Sequence, residues 1–470
     1  MAEMGVEENR VGPNKKRLKT KSNMVDEEDR ISELPDEIII HILSFLPTED
    51  VVRTCFLSKR WKLMWYLVPK LSFYEQGHRN FDNYVNNCLK HRKRGMVCDL
   101  NSVITSFKVT TNNYRNDTSL DKWLDFAVEN KVKEINLSFS GDWSSSSYYW
   151  LPETLVVKAI YLTILDLALV RLDSRYSFSF PSLKSLSLSS VWFADTDTVD
   201  KLLLGSPSLE NLQLDFDVFS FRDCLHLCSV SLKFLDINTP NNIGVEIDCI
   251  NLESLTLQGF IFDKINLSSC SKAIRNISLT CFWGAVSSSL EHLISSLPLL
   301  ENLTLSNWHP WKLKHIKISS QTLKSFNLNH SDSEDELTVL IESAPKLISF
   351  CYNGNFKLSV SMVESCNLLN GTFILANNYD INWFVSMVNF LLNLNCSWKR
   401  VSLHVDSDKA LILPKDLKRL HCPPLINCEH LRVFTKCKLA RESDLRDVLL
   451  SVCPSLKTLS IAEGARKGHL

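Results

Sequence analysis

The chain has 470 residues, 45% of them hydrophobic and 22% charged, with a formal net charge of −1. That length holds two to four average domains, or one solenoid plus a small module. The near-neutral balance gives no general case for binding nucleic acid or an anionic membrane. The opening MAEMGVEENR has no apolar core, so no secretory signal is expected. The most apolar long stretch, Leu155–Leu172, contains Lys158, Asp166 and Arg171, which excludes a membrane span there. Fifteen cysteines are scattered without a regular framework, which points to free thiols in a reducing compartment. Two local groups, Cys224-Leu-His226-Leu-Cys228 and His421-Cys422 before Cys428-Glu-His430, lack the paired CxxC spacing of structural zinc. Neither a metal nor a disulfide framework is expected.

Residues 1–28 read as a polar tail. Its run Lys15-Lys-Arg-Leu-Lys-Thr-Lys21 has the composition of a nuclear import signal or of a solvated basic tail, and the acidic Asp26-Glu-Glu-Asp29 follows it. From residue 29 the chain turns apolar. Pro35 suits the first position of a helix, and Asp36 and Glu37 suit the positive end of its dipole. Ile38, Ile42 and Phe45 form one stripe of that helix; Ile39, Leu43 and Leu46 form another. Pro47 stops it. Thr48 is placed to cap a second helix carrying Val51, Val52 and Cys55, and Ser58 a third, with Trp61 and Trp65 one turn apart. Three short helices cannot bury two apolar faces among themselves, so the surplus face needs the rest of the chain or another protein. A helix-turn-helix on DNA is disfavoured, because Lys59, Arg60 and Lys62 beside two tryptophans make too narrow a basic surface. A plain helical cap on the following domain is the other bland alternative.

The succession LPDEIIIHILSFLP, SKRW and then Trp65 resembles the F-box of plant F-box proteins, with Leu34, Pro35, Ile42, Leu46, Ser58, Arg60 and Trp61 at its signature positions. The resemblance implies docking onto the Skp-type adaptor of a cullin-based ubiquitin ligase. It implies Leu34, Pro35, Ile38, Ile42, Leu46 and Val51 as contacts and Trp61 as an anchor shared between helices and partner. Which stripe of the first helix meets the partner is open at this point.

Phe81, Tyr84, Val85, Cys88 and Leu89 are spaced as a helix ending in the basic run 91–94 with Gly95 beyond it, and Asp121–Asn130 reads as another. From about residue 130 a pattern repeats: apolar, two others, apolar, one other, apolar. Examples are Leu183-Lys-Ser-Leu186-Ser-Leu188, Leu209-Glu-Asn-Leu212-Gln-Leu214, Leu252-Glu-Ser-Leu255-Thr-Leu257 and Leu300-Glu-Asn-Leu303-Thr-Leu305. Starts recur about every 24 residues, the period of leucine-rich repeats. Alternation gives each copy a short strand with one buried face. Asp197–Leu204 and Ser287–Ser296 look helical and belong on the convex side. The expected architecture is α/β: a small all-α F-box followed by a curved leucine-rich-repeat solenoid with a parallel concave sheet. The expected boundaries are F-box 29–75, a helical connector 76–130, the solenoid 131–354, and irregular C-terminal repeats 355–470. Order and content of that last part resemble plant F-box proteins with leucine-rich repeats and an FBD-type C-terminal region; capping repeats account for it equally.

No GxSxG, HExxH, Walker-type loop or deaminase pattern is present, so the chain is read as a non-catalytic adaptor without a cofactor. Residues alternating with the buried ones point to the concave side. Across ten copies from Val132 to Leu347 none of them is Lys or Arg, and four are acidic: Glu134, Asp166, Asp215 and Asp236. Thr256, Gln258, Ser278, Thr304 and Asn327 are the candidate target contacts. Binding through so neutral a face is expected to depend weakly on salt. The competing surface is the set of aromatics after the strands, above all Trp308 and Trp311, unless these form an inward-packed spine. The function that follows is substrate reception for a ubiquitin ligase. The alternatives are an adaptor-binding scaffold that delivers nothing, and a small-molecule co-receptor.

Overall fold

The computed structural model describes residues 31, 33–75, 80–96, 103–112, 117–139, 148–217, 224–280, 287–306, 314–330, 336–363, 369–375, 383–394, 398–405, 423–435 and 442–463. Three short helices come first: α1 (Asp36–Leu43), α2 (Thr48–Thr54) and α3 (Lys59–Trp65). Then follow β1 (Lys70–Tyr74), α4 (Phe81–Met96), β2 (Ser106–Thr111), α5 (Asp117–Glu129), β3 (Glu134–Phe139), β4 (Tyr149–Trp150), α6 (Glu153–Lys158), β5 (Ile164–Ala168), β6 (Val170–Leu172), β7 (Ser185–Phe193) and α7 (Asp197–Leu204). The middle holds β8 (Asn211–Phe216), β9 (Leu225–Cys228), β10 (Phe234–Asp248), β11 (Ser254–Asn266), β12 (Asn276–Thr280), α8 (Ser287–Ser295), β13 (Asn302–Ser306), β14 (His315–Ser319), β15 (Ser325–His330) and β16 (Leu337–Ser343). The chain closes with β17 (Ser349–Gly354), β18 (Leu358–Met362), β19 (Asn370–Leu375), α9 (Trp383–Asn393), β20 (Arg400–Val405), β21 (His430–Thr435), α10 (Glu442–Val452) and β22 (Thr458–Glu463).

One parallel inner sheet runs from β1 through β2, β3, β5, β7, β8, β10 and β11 to β12, β13, β15, β17, β19, β20, β21 and β22. The apolar positions of the motif are its buried face: Leu183, Leu186 and Leu188 are all at most 1% exposed. This corrects two expected boundaries. The segment 76–130 is not a purely helical connector, because β2 lies inside it, and the sheet begins at Lys70, within the expected F-box. Val68-Pro-Lys-Leu71-Ser-Phe73 and Ile104-Thr-Ser-Phe107-Lys-Val109 carry the repeat motif, and all six apolar side chains are buried. Nor does regularity end at 354. Trp398, Val401 and Leu403, then Cys428, Leu431 and Val433, continue the motif as buried residues of the same sheet.

The return path of each repeat is a helix or a strand according to its length. From Ser185 to Asn211 is 26 residues, and α7 lies between; from Asn276 to Asn302 is also 26, and α8 lies between. From Asn211 to Phe234 is 23, from Ser325 to Ser349 is 24, and from Ser349 to Asn370 is 21; there the return is a strand, β9, β16 or β18. A helix advances about 1.5 Å per residue and a strand about 3.3 Å, so a short return must be extended to cover the same depth. The convex layer is therefore only partly helical: the two expected helices are present as α7 and α8, and outer ladders such as β14–β16–β18 form it elsewhere. The corner from inner to outer strand uses a left-handed residue two places after the last apolar position: Leu169, Ser190 and Gly259, with φ of 52°, 50° and 81°. At Gly259 a Cβ would fall 1.6 Å from Thr239 O, so close backbone approach as well as φ requires glycine there.

Just ahead of the strands the second motif position alternates in sign: Lys184, Glu210, Lys233, Glu253, Arg275, Glu301 and Lys324. Glu210 reaches Lys184 at 3.6 Å and Lys233 at 2.9 Å; Glu301 reaches Arg275 at 3.0 Å and Lys324 at 2.7 Å. Each pair is partly solvent-exposed and weak alone, but in sequence they favour one neighbour order over a slipped one. Glu301→Lys sets three cations in a row, and its thermal midpoint should fall by roughly 2 °C, an effect reduced in high salt.

The F-box helices close the N-terminal edge of the sheet. Ile39, Leu43, Val51, Trp61, Met64 and Trp65 are buried in the continuous core, and the Ser72 N–H donates to Thr48 Oγ1 at 2.8 Å. Thr48 is thus the first residue of α2 rather than its cap; Pro47 precedes it as N-cap, and the threonine hydroxyl blocks a donor of the edge strand instead. Similarly Pro35 is the N-cap of α1, one place earlier than expected. Ser58 does cap α3, accepting from the Trp61 N–H at 3.3 Å. Arg92, from α4, is fully buried. Its guanidinium donates to Trp65 O and, at 2.6 Å, to Val68 O, and lies over the Trp65 ring at 5.3 Å. Gly95 lies inside α4 rather than beyond it, where a Cβ would overlap the Tyr66 ring.

Candidate functional site

Two surfaces remain after the core is accounted for. The first is on the F-box. Ile38 and Ile42, on the outer stripe of α1, are half-exposed, Phe45 is 71% exposed and Phe56 91%. Leu46, Leu57 and Leu63 add to the same module's exposed apolar surface. The stripe left open by the sequence is thereby assigned: Ile39 and Leu43 serve the chain's own core, and Ile38, Ile42 and Phe45 face outward. Of the other expected contacts, Leu34 is half-buried and Pro35 exposed. Val51 and Trp61 are 1% and 7% exposed, so they pack the module internally and are not available to a partner. Phe56 and Leu57, between α2 and α3, are not among the expected contacts; their signal in the sequence is two adjacent large apolar residues in a turn ahead of a capping serine. Arg60 holds the module's shape, donating to Leu34 O at 2.6 Å and from Nε to Asp36 Oδ1 at 2.8 Å.

The second surface is the concave face. Strand register places Thr256, Ser278, Thr304 and Asn327 in one row across four neighbouring strands, with Gln258 in the next row. All five are half-buried. Neighbouring side chains bond to one another: Asn327 Nδ2 donates to Thr304 Oγ1 at 3.2 Å, Asn302 Nδ2 to Asn276 Oδ1 at 2.6 Å, and Asn238 Nδ2 to Asp215 Oδ1 at 2.8 Å. A hollow of about 280 Å³ opens on this face between Ser187, Gln213, Phe234, Asp236 and Thr256. Burial raises the carboxyls of Asp166, Asp215 and Asp236 above the usual range, with the Asp215 charge also acting on Asp236. An acid with a raised folded pKa penalises the fold once pH exceeds its unfolded value. Asp236→Asn should therefore raise the thermal midpoint at pH 7, on the order of 1 °C, and leave it unchanged at pH 3 where the native carboxyl is protonated.

Trp308 and Trp311 lie outside the described residues. Of the other aromatics after strands, Phe193, Phe260 and Phe262 are buried and form part of the inward spine. Trp192 is half-buried against Arg171, whose guanidinium lies 3.7 Å from its ring centroid and 4.5 Å from that of Trp150. Strand alternation turns Cys224, His226 and Cys228 outward, and His226 Nε2 meets Asp248 at 3.1 Å. Cys428 is buried, His430 Nδ1 bonds Thr458 Oγ1 at 2.7 Å, and His421 and Cys422 lie outside the described residues. Among the described residues no three or more His, Cys, Asp or Glu side chains converge as metal ligands.

Comparison with known proteins places two domains in the chain. The F-box domain family matches residues 31–72, and the family described as At1g61320/AtMIF1, LRR domain, matches residues 96–312. The putative FBD-associated F-box protein At3g50710 of Arabidopsis thaliana is 29% identical over 68% of this chain and 75% of its own length. The F-box/FBD/LRR-repeat protein At4g00160 of the same plant is 27% identical over 68% and 70%. The F-box/FBD/LRR-repeat protein At5g56420 is 32% identical over 40% and 44%. A chain of the TLR13–ssRNA13 complex is 14% identical with a TM-score of 0.29, over 77% of this chain and 59% of that one, too distant a likeness to bear on function. F-box domains generally bind Skp-type adaptors, and F-box/LRR proteins are in general non-catalytic interaction adaptors. The chain thus combines an F-box domain with a leucine-rich-repeat domain, as do the plant F-box/LRR proteins that it resembles.

Proposed function

We propose that this protein is the substrate-receptor subunit of an SCF-type, cullin-based ubiquitin ligase. The observation that carries the proposal is the pairing of an uncovered apolar F-box face with a long polar concave sheet on one continuous core. Ile38, Ile42, Phe45 and Phe56 dock the Skp-type adaptor; the concave face holds the target. The receptor contributes proximity and orientation, and a partner enzyme transfers ubiquitin. Because β1 belongs to both parts and Arg92 locks them, the target is presented at a set angle to the adaptor rather than on a tether. The C-terminal strands β20–β22 correspond in this reading to the FBD-type region of the relatives, and the basic run Lys15–Lys21 directs the protein to the nucleus.

The test is affinity capture with the intact chain and with an F-box-disabled variant. Ubiquitylated partners recovered with the first, and the same partners accumulating unmodified on the second, support delivery. Partners that never become ubiquitylated with the intact chain favour a scaffold. In the same assay Thr256→Trp or Ser278→Trp should reduce target capture at least tenfold with adaptor binding unchanged, since these side chains point away from the core.

A further inference from the structure

We propose that the C-terminal end of the concave face, around Arg400 and Arg432, binds an acidic segment of the target protein. The word target rests on the receptor reading above; the chemistry rests on the sheet itself. The concave positions of β20 are Arg400, Ser402 and His404, those of β21 are His430, Arg432 and Phe434, and those of β22 are Thr458, Ser460 and Ala462. No carboxylate is among them. Both arginines are exposed, and neither bonds a carboxylate among the described residues. The nearest acid ahead of these strands, Glu429, is already engaged by Lys457 at 2.8 Å and attracted by Lys399. His404 and Phe434 stack at 4.4 Å and 17°, adding a flat platform at the far end of the patch.

Position in the sheet fixes the sign of the partner. Arg400 and Arg432 stand on adjacent strands, offset by two residues, so their Cα atoms are roughly 8 Å apart. An extended peptide repeats its side chains on one face about every 6.6–7 Å, so carboxylates at alternate positions meet both guanidinium forks. Before the middle of the face stand Glu134, Asp166, Asp215 and Asp236, which repel such a segment, with Lys70 and Lys108 on the two strands ahead of them and Lys108 already acting on Asp166. Eight strand steps separate Asp236 from Arg432, about 38 Å along the sheet, several screening lengths at physiological salt, so the acids do not cancel the arginine field. The weak salt dependence expected from the ten copies between Val132 and Leu347 thus holds for the middle of the face and not for its C-terminal end.

The probe is a fluorescein-labelled peptide of eight alternating Glu and Ser residues, measured by anisotropy on the full chain, with a Gln-Ser peptide as control. The Glu-Ser peptide should bind, weaken at least tenfold from 50 to 300 mM salt, and lose at least thirtyfold with Arg400→Glu plus Arg432→Glu. Asp236→Asn should leave binding within twofold. Absence of binding to the native chain, equal binding of the Gln-Ser peptide, or indifference to the double reversal would overturn the proposal. A tenfold gain when Asp26, Glu27, Glu28 and Asp29 are neutralised to Asn or Gln would also overturn it, because the occupant would be the chain's own acidic segment. Adaptor binding is measured in the same preparations. Adaptor binding retained while the double reversal loses the peptide shows the variant folded and supports the site. A native chain that binds peptide but no adaptor leaves the site standing and removes the receptor reading.

Discussion

A chain carrying Ile42→Asp and Phe56→Asp should bind a Skp-type adaptor at least a thousandfold more weakly than the native chain and unfold at the same temperature within about 1–2 °C. Both side chains are on the surface, half and nine-tenths exposed, so neither supports the core. Anchors of this kind contribute about 2 kcal/mol or more each, and burying a carboxylate against an apolar partner adds its desolvation cost. Two such changes amount to about 4 kcal/mol, three decades in affinity. Titration calorimetry with purified adaptor decides it. The control is Ile39→Asp, on the other stripe of the same helix, which should unfold the F-box because Ile39 is 1% exposed. If adaptor affinity survives the Ile42/Phe56 pair, the docking face lies elsewhere on the module.

The second large effect is at Arg92. Arg92→Ala should cost about 4 kcal/mol, and limited proteolysis should then cut between Trp65 and Lys70 well before the solenoid melts. The side chain is fully buried, and burial pulls its guanidinium down to about 10, so it remains a cation at neutral pH. Two carbonyls and the Trp65 ring solvate that charge. Truncation leaves Trp65 O and Val68 O without their donor and opens a void, and those two losses add. Arg92→Met separates them: it refills the volume and removes the buried charge while leaving the carbonyls unpaired. It should therefore lose about half as much. Equal cost for both variants would place the whole effect in the hydrogen bonds; no measurable cost for Arg92→Ala would show that the F-box is not locked to the sheet through this residue.

The amino-acid sequence by itself determined the buried face of nearly every inner strand, because an apolar-x-x-apolar-x-apolar motif leaves one alternation compatible with a core. The same motif reaches past the expected boundaries of the solenoid. Val68, Leu71 and Phe73 spell it at the end of the F-box, and Trp398, Val401 and Leu403 spell it again beyond residue 354. The 26-residue spacing from Ser185 to Asn211 against 21 from Ser349 to Asn370 dictates helix or strand on the convex side, since an extended chain covers about twice the distance per residue. What only the tertiary structure decided was which apolar side chains stay uncovered. Ile38 and Ile39 are adjacent, equally hydrophobic and both on plausible faces of one helix; nothing local separates them. Their fates differ because α1 packs against α3 and the module as a whole closes the edge strand β1, burying Ile39 and leaving Ile38 outward. The family resemblance implies Val51 as a partner contact and Trp61 as an anchor shared with the partner, and the core takes both for the same reason. Charge along the concave face is likewise a tertiary property. Arg432 is remote in sequence from Thr256 and Ser278, yet it stands in the same row of side chains. That shared row follows from the register of successive strands, which no local pattern encodes.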